Sequence, residues 1–378
     1  MSIQMAPPSL DEVCEFIVDC LHKTAPTQDD GYPLIRTPNI GKGRLLLDGV
    51  YRISEHTYEI WTQRAIPEPN DLILAREAPA GNVAIVREGE RVALGQRTVH
   101  LRPDPSKIDP AFLCYFLLAP KQQGELLANE TGATAKHVNM KDIRRLKLKN
   151  LPDMATQKTI AKVLSKYDDL IENNCRRIHL LEEAARFLYK EWFVYLRYPG
   201  HEHVRLDAGV PEGWQNEKIG NVLKLNYGKA LKAENRVEGE FPVYGSSGVV
   251  GTHNKSLVPG PGIIVGRKGN VGAIYWSAKD YYPIDTVYFI SREDSNLYLY
   301  YALQYAQFIN TDVAVPGLNR DMAYSRKILV PSESVLNDFL DEIQPIRSQI
   351  EKLEEYNVKL ERARDLLLPR LMNGDITV

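Results

Sequence analysis

"PGPGIIVGRKGNVGAIYWS", residues 259–277, sets five glycines around an apolar run and two cations, Arg267 and Lys268. A related stretch stands earlier, "PNDLILAREAPAGNVAIVR" at 69–87. The glycines could cradle the phosphates of a nucleotide or turn the chain between short strands. A dinucleotide fingerprint needs G-x-G-x-x-G opening a helix, with an acid about 20 residues on, and a phosphate loop needs G-K-S or G-K-T. Here Gly260, Gly262 and Gly266 are spaced differently, "RKGN" is neither, and a strand-like run follows Gly269. The turn reading is the better one. It expects Gly269 in the left-handed conformation that Asn-Gly and Gly-Asn turns favour. It also places Arg267 and Lys268 at a sheet edge.

The recurrence of this stretch extends to a duplication of most of the chain. Asn82 of "GNVAIV" answers Asn270 of "GNVGAIYW", and Thr98 of "RTVHLRP" answers Thr286 of "DTVYFIS", both at the same offset. "FLCYFLLAPKQQ" and "LYLYYALQYAQ" follow in the two halves, each with helical apolar spacing. Next, "GATAKHVNMKDIRRLKLKNLP" at 132–152 matches "AVPGLNRDMAYSRKILVP" at 314–331, which sets Asn139 opposite Asn319. The short runs "NDLILAR", "NVAIV", "GIIVGR" and "DTVYFI" are rich in β-branched and aromatic residues and read as strands.

Each half closes on a heptad-like seam. The first runs through Ile160, Leu164, Tyr167, Ile171, Asn174, Ile178, Leu181, Ala185, Leu188 and Trp192. The second runs through Ile343, Ile346, Ile350, Leu353, Asn357, Leu360, Arg364, Leu367 and Leu371. Alternating steps of four and three belong to helices that pack along a partner helix. At 1.5 Å per residue such rods are about 50 to 60 Å long, so they outrun a small globular body and pairing with one another is expected. Asn174 and Asn357 on the seams would cost stability and set register. The layout is head, rod, head, rod: 1–152, 153–195, a Pro- and Gly-punctuated linker at 196–213, then 214–332 and 333–378.

Composition narrows the class. With 378 residues, 44% hydrophobic and 25% charged, the chain suits two or three folded domains. Cys14, Cys20, Cys114 and Cys175 form no C-x-x-C pair, which points to a reducing cytoplasm and away from a disulfide scaffold or structural zinc. No signal peptide and no membrane span is expected, since the longest greasy run, "PAFLCYFLLAP", is far too short. The histidines lack metal-ligand spacing and no nucleophile elbow is present, so no catalytic residue, metal or cofactor is expected.

Binding is left, and positive charge gathers at matching places in both halves. The candidate DNA-contacting residues are Arg76, Asn82, Lys136, Asn139, Arg144, Arg145 and Lys147 in the first half. In the second they are Lys229, Lys232, Arg267, Lys268, Asn270, Asn319 and Arg320. Arg and Lys hold phosphates or read guanine, and Asn reads adenine edges. A net charge of -2 does not favour nucleic acid on average, but binding faces are local. Duplicated DNA-binding heads compete here with a non-enzymatic protein-interaction scaffold and with a stand-alone DNA-binding protein.

"FPVYGSSGVVGTHNK", "PGIIVGRKGNVGAIYWS", "YPIDTVYFI", "VPGLNRDMAYSRKILVP" and the closing "LERARDLLLPRLMNGDI" together resemble a type I restriction–modification specificity subunit. The resemblance covers essentially the whole chain. It implies an α+β fold of two duplicated α/β target recognition domains, separated and joined by two long antiparallel coiled-coil helices. It implies that each head reads one part of a bipartite, asymmetric double-stranded DNA target. The rods then set the spacer and dock two methyltransferase (modification) subunits, with two restriction (motor–nuclease) subunits in the full complex. Catalysis belongs to those partners. The first head departs from the second, with three more residues between Arg76 and Asn82 than between Arg267 and Asn270, as expected if the halves read different words.

Overall fold

A computed structural model describes residues 6–77, 79–128, 137–306, 308 and 317–378. The chain divides into two compact units, residues 1–174 with 356–378, and residues 175–355. The duplication is visible in their strand pairing. In the first unit a sheet runs in the order Cys14–Asp19, Thr98–Pro103, Leu72–Ala75, Val83–Ile85, Gly43–Arg44. In the second unit the order is Asn226–Tyr227, Val287–Ile290, Gly262–Gly266, Ile274–Ser277. Each unit adds a three-stranded sheet with one antiparallel and one parallel pair: Arg52–Ile53, Tyr32–Ile35, Ala93–Leu94 in the first, and Gly248–His253, Phe241–Gly245, Tyr282–Pro283 in the second.

The uninterrupted apolar runs follow from burial on both strand faces. Leu72 and Leu74 join the helix-side core with Leu101, Phe112 and Leu164, while Ile73 and Ala75 face a second cluster with Ile35 and Val86. In the second unit Ile263 and Val265 pack with Tyr298 and Tyr301, and Ile264 packs with Tyr281 and Val287 on the other side. The helix after each sheet is capped alike: Asp109 accepts from the Phe112 N–H (2.8 Å) to open Pro110–Leu118, and Asn296 accepts from the Leu299 N–H (2.8 Å) to open Leu297–Tyr305. The first of these breaks at Ala119, because Pro120 cannot continue a helix and instead starts Pro120–Leu127.

Two long helices, Met154–Tyr189 and Glu333–Met372, contribute to both units and pack against each other. The packing is antiparallel. Asp168 meets Arg364 and Asn174 meets Asn357, so a step forward along one helix is a step back along the other. Ile160, Leu164, Ile171 and Asn174 are buried in the first unit, as are Ile343, Ile350 and Leu353 in the second. Ile178, Leu181, Leu188, Leu360 and Leu367 are half-buried, and so is Asn357. The first seam departs from expectation at one step: Tyr167 is half-buried while Asp168 is fully buried. The first long helix ends in a π-helical turn, Lys190–Val194, with Trp192 and Phe193 in the aromatic core of the second unit.

The stretch 196–213 is no open tether. Tyr198 is buried against Trp214 (ring centroids 4.8 Å), and Leu206–Asp207 pairs with Val210–Pro211 as a small hairpin. Burying Tyr198 and Trp214 beside Phe193 outweighs the turn-forming prolines and glycines, which shape this segment without freeing it. Among the described residues no helix is long and apolar enough to cross a membrane.

Candidate nucleic-acid interface

The glycine-rich stretch is built as turn and frame. Gly262–Gly266 pairs with Ile274–Ser277, and residues 267–273 connect them. Gly269 has φ +81°, the left-handed conformation expected for it. A Cβ on Gly266 would lie 2.0 Å from the Asn270 carbonyl oxygen, so that position also needs glycine. Arg267 and Lys268 do not stand at a sheet edge. They leave an interior strand, flanked by Ile274–Ser277 and Val287–Ile290, and both backbone N–H groups donate to the Thr286 carbonyl (2.9 and 3.0 Å). The alternation of the sequence marks a strand but not its neighbours, which is why the edge reading failed.

This stitching brings distant cations together. The Leu318 N–H donates to the Arg267 carbonyl (2.8 Å), and Lys268 bridges Gly317. Residues 319–320 therefore stand beside 267–268. The result is an open pocket of about 260 Å³ lined by Tyr227, Arg267, Lys268, Tyr288, Asn319 and Arg320, among others. The Arg267 Cζ lies 5.1 Å from the Tyr227 ring centroid and 5.7 Å from that of Tyr288. The Arg320 Cζ lies 5.3 Å from Tyr227 and 6.0 Å from Tyr324. Guanidinium groups over aromatic faces gain cation–π attraction and keep their edges free for hydrogen bonds. Burial first, then the neighbouring Tyr227, push the Tyr288 phenol up to about 12 against the opposing Arg267 charge, so Tyr288 stays neutral at physiological pH. Its hydroxyl donates to the Leu318 carbonyl (3.0 Å) and ties the strand to the same segment.

Of the residues singled out in the second half, Arg267, Lys268, Asn319 and Arg320 thus come together. Asn270 is exposed on the connecting loop, Lys229 is exposed, and Lys232 is exposed and pairs with Glu234 (3.7 Å). The Asn319 side chain accepts from the N–H groups of Asp321 (2.8 Å) and Met322 (3.4 Å), a capping role. Sequence reasoning missed Tyr227, which is 52% exposed beside two arginines; an aromatic within the basic run "NYGKALK" was the available signal.

The first unit repeats the backbone frame with other side chains. The Val138 N–H donates to the Arg76 carbonyl (3.1 Å), and Glu77 bridges His137 where Lys268 bridges Gly317. The Arg76 Nε donates to the Val138 carbonyl (3.1 Å), and its side chain approaches Asp19 at 4.0 Å. Glu77, in the place of Lys268, pairs with Arg97 (2.9 Å). Asn82 donates to the Ile40 carbonyl (2.9 Å), so its amide holds the fold. Asn139 stands at the N-cap of Met140–Arg145.

The basic run after Asn139 is largely balanced by acids from elsewhere. Arg144 donates to the Ile17 carbonyl (2.7 Å) and lies 3.8 Å from Asp11. Lys147 lies 3.7 Å from Glu12, and Lys149 pairs with Glu125 (3.0 Å). Arg145 is exposed and has no hydrogen bond or ion pair among the described residues. Lys136 lies outside the described residues.

A second feature, legible only in the fold, sits where the first unit meets its helices. Asp168 is fully buried, accepts from Arg364 (2.5 Å) and from the Tyr115 hydroxyl (2.5 Å), and would touch any Cβ added to Gly43. Burial works against the Arg364 charge, but Asp168 and Asp365 outweigh it and hold the guanidinium above its usual range. Burial and the Asp168 carboxylate push the Tyr115 phenol up. Arg364 on an apolar seam was the one sequence signal that an acid must face it. Among the described residues no cluster of three or more His, Cys, Asp or Glu side chains is placed to hold a metal.

A family profile described as "Type I restriction modification DNA specificity domain" matches residues 5–183 and 211–354. The MjaIX specificity subunit of Methanocaldococcus jannaschii is 23% identical over 363 residues, covering 87% of this chain and 83% of its own. The HindI specificity subunit of Haemophilus influenzae is 22% identical over 370 residues, covering 73% and 79%. The crystal structure of a type I restriction–modification S subunit from M. genitalium superposes with a TM-score of 0.54 at 19% identity over 98% of this chain and 97% of that one, a likeness of fold. The chain belongs to the type I restriction–modification specificity subunits, the DNA-recognition components that act alongside the other subunits of such systems and are not themselves catalytic.

Proposed function

We propose that each unit reads one part of a bipartite, asymmetric DNA target, with residues 1–152 and 214–332 as the two recognition domains. The observation that carries this reading is the shared backbone frame with different side chains. Arg76, Glu77 and Asp19 stand in the first unit where Arg267, Lys268 and Tyr227 stand in the second. Two identical heads would call for a symmetric site, and these heads offer different charges to a groove. In the second unit Lys229, Lys232, Arg267, Lys268, Asn270 and Arg320 face DNA; in the first, Lys141 and Arg145 are exposed cations with no partner among the described residues, in a run where Arg144 and Lys147 also brace the fold.

The long helices set the unread gap. At 1.5 Å per residue, helices of 36 and 40 residues are about 54 and 60 Å long, the length of about 16 to 18 base pairs. They also dock two methyltransferase subunits, with two restriction subunits in the full complex. Apolar side chains left exposed on the helices, Leu180 and Phe187 on the first and Val358 and Leu366 on the second, support docking there. Requiring both words multiplies selectivity, since each mismatched pair costs about 1–3 kcal/mol.

Co-expression with a type I methyltransferase subunit, followed by mapping of methylated adenines, tests this reading. The expected outcome is two different words separated by a constant gap. Inserting one heptad into a long helix is expected to lengthen the gap or stop assembly while leaving both words unchanged. Altered words at a constant gap would refute the spacer role.

A further inference from the structure

We propose that Arg320 is the guanine-reading side chain of the second unit, held in place by the rings of Tyr227 and Tyr324. The inference rests on the DNA-reading function above and names the base that this pocket takes.

The residues around the pocket differ in what they have left to offer. Arg267 is engaged by the frame: its N–H and carbonyl are both hydrogen-bonded, its Nη1 donates to the Asp285 carbonyl (2.8 Å), and its guanidinium lies over two tyrosines. Its place is in the frame. Lys268 is exposed and carries a point charge, which suits a phosphate and discriminates little between bases. The carbonyl oxygen of the Asn319 amide is engaged by Asp321 and Met322, so it cannot also serve the two-point contact that reads adenine.

Arg320 is the contrast. Among the described residues its guanidinium makes no hydrogen bond and no ion pair. It is nevertheless held, between the faces of Tyr227 and Tyr324 at 5.3 and 6.0 Å. Tyr324 is itself anchored, its hydroxyl accepting from the Leu225 N–H (3.0 Å). A planar fork fixed by its faces, with its donors free along the edge, matches the O6 and N7 acceptors that guanine shows in the major groove. Adenine presents an N6 donor in place of O6 and would meet donor with donor.

The test uses the full chain assembled with its methyltransferase partner on the mapped target. Each guanine of the second word is replaced in turn by 7-deazaguanine, which lacks the N7 acceptor. The wild type is expected to lose about ten- to hundred-fold in affinity at one position. Arg320→Ala is expected to bind more weakly overall and to be indifferent to that replacement, while still rejecting errors in the first word. Arg320→Lys keeps the charge and is expected to retain affinity for phosphate while losing most of the guanine preference. If Arg320→Lys keeps the full penalty at every guanine, or if the second word contains no guanine on either strand, the proposal is overturned. If the wild type shows no sequence preference on any duplex, the DNA-reading function falls, and this assignment with it.

Discussion

Asn174 and Asn357 each interrupt the apolar seam of a long helix, and their side-chain amides hydrogen-bond to each other at 2.9 Å. A slip by a heptad would part the two amides. Burying an unpaired amide costs about 1–3 kcal/mol, so the pair favours one register. Asn174→Leu alone is expected to lower stability by about 1–3 kcal/mol in chemical denaturation. Changing both to Leu is expected to recover most of that loss and to broaden the distribution of gap lengths in the methylome.

Asp168 is tied to Arg364 and Tyr115, so one carboxylate links the first head to both long helices. Removing one member of a buried ion pair leaves the other charge uncompensated, at a cost of about 3–5 kcal/mol. Arg364→Met and Asp168→Leu are each expected to destabilise on that scale. The double variant is expected to lose far less than the sum, as a double-mutant cycle in denaturant will read.

Acid stability has a named contributor. Burial alone would raise the Asp71 pKa, but hydrogen bonds from Arg102 and His100 outweigh it, so the group sits below its ordinary value of 3.8. A carboxylate lowered by folding contributes stability that is present above its unfolded pKa and is lost as pH falls through the folded one. Melting temperatures measured below about pH 4.5 are expected to fall with acidification, with a shallower acid limb in Asp71→Asn.

The basic run separates into two behaviours. Arg145→Ala is expected to leave melting unchanged and to lower the salt slope of DNA binding by about 1. Arg144→Ala, which removes the donor to the Ile17 carbonyl, is expected to lower stability by about 1–2 kcal/mol. Equal melting temperatures for the two variants would refute this division.

Gly269→Val is expected to unsettle the second unit, because a β-branched residue resists φ +81°. Recognition of the second word should be lost with it, while the first word stays intact. Gly89 also has positive φ but has open space around it, so Gly89→Ala is expected to cost only about 1 kcal/mol of backbone strain.

The sequence by itself determined whatever is periodic or repeated. The runs at 72–75 and 262–266 announce strands, the steps from Ile160 and from Ile343 announce long helices, and the recurrence of these elements in order announces the duplication. Those signals are local, because pleat and helical pitch impose their spacing on the residues next to one another. The residue-by-residue match was misplaced: Ala75 and Gly266 donate to the Asn82 and Ala273 carbonyls, so Asn82 stands where Ala273 does, not Asn270, and the two connections are equally long. Which charges are free was decided only by the tertiary structure. Arg144 and Lys147 look like a DNA-binding patch until Asp11 and Glu12 arrive from the other end of the domain. Asp168 looks solvent-facing until Arg364 closes on it, and Tyr227 has no evident task until Arg267 and Arg320 are brought over its ring. Electrostatic pairing depends on distance in space and not along the chain, so only folding chooses the partners.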